Sequence, residues 1–303
     1  MTRICVIGSL NIDLVAPVKV FPKIGETVNA LDFDITEGGK GANQAYALGK
    51  LGADVRMVGK LGDKLRGHHY KEKLQENNVK CDTVRIEKDK YPGLAIVCVN
   101  QESENILIVH SGTNELVDVN YIKEQWGQIE DNDIFLFQQE IPAETNKYVM
   151  EKLASKDKMI IFDPAPARYF SEEIYNYIDI ITPNETELET LSGINLDTKK
   201  DFKKAADKLL AKGARTVIAK AGKKGAFIID KEKFNHITGY EVEAIDPTAA
   251  GDSFNAGLAY SLKEGKDIVE AVMFANAVAA LSTTALGAQK AMPTIDEVEE
   301  FRN

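Results

Sequence analysis

Short apolar runs rich in Ile and Val alternate along this chain with longer amphipathic stretches, and that alternation limits the folds open to it more than any other feature. The runs are Ile4–Ile7, Val55–Val58, Ile134–Phe137, Met159–Phe162, Ile178–Ile181, Val217–Ala219 and Ala226–Ile229. Between several of them lie stretches with helical spacing of apolar residues, such as Asn43–Leu51, Ala143–Ser155 and Lys200–Lys212. Continuous apolar runs suit strands buried on both faces, and helical crossovers between them make those strands parallel. The expected class is α/β: a doubly wound, mostly parallel sheet with helices on both faces. The last 50 residues are expected to be helical, with Ala250–Lys263 followed by Ile268–Thr283.

Two regions break the alternation. Leu14–Val20 and Val28–Thr36 read as strands with no helix between them, and Leu94–Val99 and Ile106–His110 flank the turn-like Gln101–Asn105. These hairpin-like pieces predict a small second sheet. The expected organisation is a large domain from 1–13, 37–93 and 111–303, with a small β unit from 14–36 and 94–110. Several polar clusters follow directly on apolar strands: Gly8-Ser9, Gln138-Gln139-Glu140, Asp163-Pro164, Thr182-Pro183-Asn184 and Lys220-Ala221-Gly222. Ligands of open α/β sheets bind beyond the carboxyl ends of the strands, so these clusters point to one shared site.

Bulk properties exclude some classes of function. The chain has 303 residues, enough for one large α/β domain with an appendage. A net charge of −10 argues against a broad basic surface for nucleic acid. No apolar run is long enough to span a bilayer, and no basic segment with a long apolar core precedes Ile4. Cys5, Cys81 and Cys98 lie far apart, and Cys5 and Cys98, in apolar strand-like runs, read as structural reduced thiols, which makes the cytoplasm the expected compartment. His68, His69, His110 and His236 show no metal-binding spacing.

Four segments carry candidate chemistry. Glu37-Gly38-Gly39-Lys40-Gly41-Ala42-Asn43-Gln44 leads into a helix. Its glycines let backbone approach a ligand closely, although it matches neither the P-loop nor the dinucleotide fingerprint. Asp246 to Gly257 sets small residues before an apolar helix. Free N–H groups and the helix dipole favour an anion at such a start, and Asp252 beside it could accept a proton from an attacking hydroxyl. Asn184 and Glu187 follow Ile181-Thr182-Pro183 and could hold Mg²⁺ through water. Asn11 and Asp13 flank Ile12, share a face, and could bind sugar hydroxyls. Each segment taken alone also suits a plain structural role: a flexible turn, an N-terminal acid on a helix dipole, a helix cap, or a polar turn.

Taken together and in order, the segments resemble the ribokinase family of carbohydrate kinases. The resemblance rests on Gly38 to Ala45, Asn184-x-x-Glu187 and Asp246 to Ala259, with Asp163-Pro164-Ala165-Pro166-Ala167 and Gly287-Ala288-Gln289 beside them. It covers essentially the whole chain. It implies a large α/β domain whose small sheet is a lid over the sugar, and a homodimer formed through two lids. It also implies transfer of a phosphoryl group from ATP to a primary hydroxyl, with D-ribose converted to ribose 5-phosphate as the leading reaction. Asp252 would be the general base, and the backbone of Ala249, Ala250 and Gly251 the anion hole. Asn11, Asp13, Gly39, Lys40, Asn43 and Glu140 would hold the sugar. Asn184, Lys220, Ala221, Gly222, Lys223, Lys224, Gly225 and Asn276 would lie along the nucleotide. Glu187 would organise Mg²⁺, while Asp246, Thr248, Ser282, Ala285, Gly287 and Ala291 match a loop pair that binds K⁺.

Four positions depart from the family's usual pattern. Pro247 stands where Thr is common, Lys220-Ala221-Gly222 replaces a Thr-containing triplet, Leu65-Arg66-Gly67 replaces a Phe-Gly pair, and Asp163 stands where Asn is common. Rival readings are a kinase for deoxyribose, fructose or a ribonucleoside, and a sugar-binding protein that keeps the fold without the reaction. A nucleotide-dependent oxidoreductase would fit the alternation but lacks its glycine fingerprint.

Overall fold

The computed structural model describes residues 3–102, 104–168 and 170–303; Ser103 of the turn expected at Gln101–Asn105 lies outside the described residues. In chain order the strands are β1 (Ile4–Ile7), β2 (Asn11–Pro17), β3 (Asp34–Gly38), β4 (Val55–Gly62), β5 (Val79–Lys80), β6 (Val84–Glu87), β7 (Gly93–Val99), β8 (Asn105–His110), β9 (Ile134–Phe137), β10 (Met159–Phe162), β11 (Ile180–Ile181), β12 (Thr216–Lys220), β13 (Ala226–Ile229) and β14 (Phe234–Ile237). The helices are α1 (Lys40–Lys50), α2 (Gly67–Glu76), α3 (Val119–Ile129), α4 (Ala143–Leu153), α5 (Glu185–Ser192), α6 (Lys199–Ala211), α7 (Ala250–Lys263), α8 (Ile268–Ser282) and α9 (Ile295–Arg302).

The main sheet runs β14-β13-β12-β11-β10-β9-β1-β4-β5, with β6 beside β4. From β12 to β5 its pairings are parallel, and β13 and β14 close one edge antiparallel. Alternate residues of each strand feed opposite faces. Ile4 and Val6 pack with α1, α7 and α8 on one face, while Cys5 and Ile7 pack with α3, α4 and α6 on the other. Both faces are therefore apolar, which explains why these strands read as unbroken apolar runs. Each fully buried Ile or Phe contributes about 1.5–3 kcal/mol. Among the described residues no helix is long and apolar enough to cross a membrane.

A second sheet of four strands runs β3-β2-β7-β8. Its outer pairs are antiparallel and its central pair, β2 with β7, is parallel. Its first two strands lie away from the positions expected from the sequence. The first begins at Asn11 rather than Leu14, because Asn11 pairs with Gly38 on one side and Gly93 on the other, and glycine opposite leaves room for a polar side chain. The second covers only Asp34–Gly38, because the pairing with β2 ends at Val15 and Asp34 and leaves 28–33 without a partner strand.

Candidate active site

The carboxyl ends of β1, β9, β10, β11 and β12 lie along one edge of the main sheet, since these strands are parallel. The polar clusters that follow them are thereby gathered opposite the N-termini of α1 and α7. At α1 the entry is backbone against backbone. Gly39 has φ 90°, and a Cβ there would sit 2.6 Å from the Asn11 nitrogen; a Cβ on Gly41 would sit 2.7 Å from the Gly8 carbonyl carbon. At α7 the helix is entered through Ala249, whose φ of 61° lies in the left-handed region, and no side chain caps it. The Ala250 N–H donates to the Pro247 carbonyl at 3.2 Å. The next N–H groups, on Gly251 and Asp252, belong to the first turn, where a helix offers no partner of its own.

Asp252 lies in that first turn and is buried. Its Oδ2 accepts from Asn43 Nδ2 at 3.0 Å, and its Oδ1 from Gln44 Nε2 at 3.2 Å. Gln44 Nε2 also donates to Asp163 Oδ2 at 3.2 Å, and the Gln44 carbonyl accepts from Gln138 Nε2 at 2.7 Å. Asp163 Oδ1 in turn accepts from Lys220 Nζ at 3.0 Å. Burial raises the Asp252 carboxyl to about 6; Lys40 opposes this, Asp163 adds to it, and the bonds from Asn43 and Gln44 oppose it. Burial also works against a charge on Lys40, yet Asp252, Asp163, Glu140 and Glu187 together hold its ammonium well above the usual lysine range. Asp252 is thus a carboxylate near neutral pH, faced by a fixed cation, which suits a general base.

The sugar candidates divide into two groups. Asn43 meets Asp252 directly. Glu140 Oε2 accepts from Ser9 Oγ at 2.5 Å and from the Lys40 N–H at 3.1 Å, which joins β1, β9 and α1. Asn11 and Asp13 stand two residues apart on β2. Asn114 holds the Asn11 Oδ1 at 2.7 Å, while burial and the nearby Glu140 raise Asp13 to about 7. Asp13 Oδ1 is buried without a hydrogen-bond partner.

A cavity of about 430 Å³ opens beside Asp252. Lys40, Asp163, Asn184, Glu187, Lys220, Gly222 and Ala249 to Asp252 line it. Ala221, Lys223, Lys224, Gly225 and Asn276 do not; Asn276 instead donates to the Thr238 carbonyl at 3.4 Å behind β14. Asn184 caps α5 in a reciprocal box with Glu187, so the structural role weighed from the sequence is present. Glu187 Oε2 and Oε1 accept from Asn184 N and Nδ2 at 2.8 and 3.0 Å, while the residue still lines the cavity. Burial raises its carboxyl, Lys220 opposes, and Asp163 adds. Among the described residues no three His, Cys, Asp or Glu side chains form a metal-binding group. The Glu187 carboxylate in the cavity wall would fit an ion that keeps most of its water.

On the far side of Pro247, Asp246 ties two loops together. Its Oδ1 accepts from the Thr248 N–H and its Oδ2 from the Gly287 N–H, both at 2.9 Å, and its own N–H donates to the Thr283 carbonyl. Ser282 Oγ is spent on the Ala279 carbonyl, and Ala285 and Ala291 follow in the same C-terminal segment. A larger cavity, about 670 Å³, lies between these loops and the second sheet, with Asp13, Thr36, Asp246 and Gln289 among its walls.

The sequence places Gln44 and Asp163 near the site but assigns no role to either, or to Gln289. Gln289 donates to Asn43 Oδ1 at 3.2 Å and to the Tyr70 hydroxyl at 2.7 Å. Gln44 stands inside the glycine-rich motif and Asp163 directly follows a strand, so their positions were a signal; their partners were not.

Residues 1–295 match the model of the pfkB family carbohydrate kinases. A ribokinase of Bacillus subtilis is 40% identical over 99% of both chains. A ribokinase of Haemophilus influenzae is 37% identical over 98% of this chain and 97% of its own. A deoxyribokinase of Salmonella typhi is 32% identical over 98% of each. Among solved structures, ribokinase from Thermotoga maritima superposes with a TM-score of 0.91 at 38% identity over the full length of both chains. Arabidopsis thaliana ribokinase complexed with ribose and ATP also gives 0.91, at 31% identity over 99% of each chain.

Proposed function

Because this chain belongs to the pfkB family of carbohydrate kinases, we propose that it transfers the γ-phosphoryl group of ATP to the 5-hydroxyl of D-ribose. The observation that carries the reading is the buried Asp252 carboxylate at the mouth of α7, fixed by Asn43 and Gln44 beside the cavity. Relatives named ribokinase and the ribose-and-ATP complex of the plant enzyme support the choice of substrate.

Asp252 takes the proton of the primary hydroxyl as its oxygen bonds to the γ-phosphorus. The bond from that phosphorus to the β–γ bridging oxygen breaks, and ADP leaves with the electron pair. Phosphoryl transfer asks mainly for positioning and charge stabilisation. The backbone at Ala249 and Gly251 meets the equatorial oxygens, while the Ala250 N–H, expected in the same hole, is taken by the Pro247 carbonyl. Asn11, Asp13, Gly39, Lys40, Asn43 and Glu140 orient the sugar. Asn184 and the loop from Lys220 to Gly225 run along the nucleotide, with Asn276 behind them. Mg²⁺ held through water by Glu187 would neutralise phosphate charge when bound. The loops joined by Asp246, with Thr248, Ser282, Ala285, Gly287 and Ala291, would take K⁺ through mostly main-chain oxygens.

The segments 14–36 and 94–110 act as the lid over a body made of 1–13, 37–93 and 111–303. Lid closure excludes water, which would otherwise accept the phosphoryl. Ile106, Leu107, Ile108 and Val109 of β8 are exposed, and pairing of two lids would cover this edge in a dimer. A sedimentation profile of a clean monomer would count against that pairing.

The test is ADP release from ATP and Mg²⁺, in K⁺ and then in Na⁺, with ribose, deoxyribose, fructose, ribonucleosides and no sugar. Turnover on ribose above all others is the expected result. Preference for deoxyribose, which the deoxyribokinase relative favours, would keep the mechanism and move the substrate.

A further inference from the structure

We infer that the Lys220 ammonium is a ligand of the terminal phosphate of the nucleotide, held ready by Asp163 and delivered to the anion hole at Gly251. The inference rests on the kinase reading of this cavity and gives Lys220, expected from the resemblance only to lie along the nucleotide, one phosphate group and one partner.

The geometry sets Lys220 apart from the rest of its loop. It is the last residue of β12, and its backbone is fixed by a bridge to Asn184, in which its N–H donates to the Pro183 carbonyl at 2.8 Å. Its side chain is 12% exposed, and its Asp163 partner is 3% exposed. Lys220 Nζ reaches the mouth of α7, 3.4 Å from where a Cβ on Gly251 would sit. Lys40 and Lys220 are the cations in the cavity wall. Lys220 is the one whose backbone is bridged to Asn184.

A buried ion pair is a weak stabiliser, because desolvation offsets most of the attraction. An ammonium carries three donors, and Asp163 takes one of them. The others face a cavity that also holds the helix N–H groups and the Asn184–Glu187 pair. Lysine is a compact point charge suited to phosphate oxygens. The two departures at 163 and 220 thus become one device: Asp163 stabilises Lys220 while the site is empty, and its second oxygen, through Gln44, couples the pair to Asp252. When the nucleotide arrives, its terminal phosphate takes up the remaining donors.

The test compares binding and turnover in the same variants. Lys220→Met alone strands a buried carboxylate, so Lys220→Met with Asp163→Asn, which removes both charges, is made beside it. Calorimetry with Mg²⁺ measures ADP and a non-hydrolysable imido analogue of ATP. The double variant is expected to bind ADP within threefold of wild type and the triphosphate analogue at least tenfold more weakly. In turnover it is expected to lose kcat by about 10²-fold, the usual loss for one donor to a transition-state oxyanion, with the sugar KM within twofold. Lys220→Arg should recover at least a tenth of wild-type kcat, which a merely structural lysine does not require. A double variant that keeps the wild-type preference for triphosphate over diphosphate overturns the assignment. The binding arm uses no sugar, so a wrong acceptor would show in turnover and leave the Lys220 question decided by the nucleotide ratio.

Discussion

The Gln44 amide donates to Asp252 Oδ1 at 3.2 Å across 208 positions of sequence, and the same nitrogen donates to Asp163. With its carbonyl oriented by Gln138, Gln44 has one way to point. It fixes the plane of the Asp252 carboxylate without touching a reacting atom. Gln44→Leu is therefore expected to lower kcat about 10–10²-fold, the scale of a misplaced catalytic group. It should also move the acid limb of kcat/KM to higher pH, since a hydrogen bond that favours the ionised carboxyl is lost. An unchanged limb with reduced kcat would assign Gln44 to packing alone.

The acid limb itself follows from Asp252. A general base works ionised, and burial raises this carboxyl to about 6. The kcat/KM for sugar is expected to be flat above about pH 7 and to fall about tenfold per pH unit well below 6. Asp252→Asn should lose about 10²–10⁴-fold in kcat and show no such limb. Near-normal turnover by the folded variant would remove Asp252 from the role.

The same burial makes Asp252 a stability cost. Its folded value lies above the unfolded one, 3.8 against about 6, so the folded chain binds the proton more tightly. Stability is lost as pH rises through that window, and the loss is complete above it. That rise corresponds to about 3 kcal/mol, less about 1 kcal/mol for a hydrogen bond that Asn cannot accept. Asp252→Asn is thus expected to unfold about 2–6 °C higher than wild type at pH 8, and thermal melts at pH 8 decide it. A melting point at or below wild type would mean that the hydrogen bonds outweigh desolvation.

The layered architecture was legible because the central strands β1, β9 and β10 and the flanking β13 are apolar on both faces, a pattern a local window can see; β5, β6 and β14 are short and carry polar or charged residues, and were not. α7 was legible for the same kind of reason: its small residues and its apolar helix are contiguous. β2 was less so. Asn11 and Asp13 look like turn residues until Gly38 and Gly93 are known to stand beside them, and that knowledge is topological. The chain from Lys220 through Asp163 and Gln44 to Asp252 was invisible for the same cause. Its members lie on β12, after β10, on α1 and on α7, and no local pattern pairs them.

Gly39 shows how tightly the N-terminal motif is built. With φ 90° and Asn11 N 2.6 Å from a hypothetical Cβ, an alanine meets both left-handed strain and a backbone clash. Gly39→Ala is expected to cost about 2–4 kcal/mol, and to raise the sugar KM more than it lowers kcat, because Asn11 and Lys40 are pushed apart. Chemical denaturation and steady-state kinetics measure the two effects. A variant with wild-type stability would mean that the entry to α1 is softer than its geometry implies.

One carboxylate, Asp246, holds two loops together. Burial alone would raise its carboxyl, but the bonds from Thr248 and Gly287 outweigh it and hold the group below the usual range. A depressed value in the folded chain means that its stabilisation is present above pH 3.8 and is lost as pH falls through the lower folded value. Asp246→Ala leaves the Thr248 and Gly287 N–H groups without an acceptor and is expected to cost about 1–3 kcal/mol at neutral pH. If these loops carry K⁺ beside α7, the variant should also lose the difference between turnover in K⁺ and in Na⁺, because the carbonyls that would surround the ion are no longer held together. Wild type and variant are assayed in both salts at equal ionic strength. A variant that loses stability but keeps the wild-type ratio would leave Asp246 as a loop tie and move the cation elsewhere.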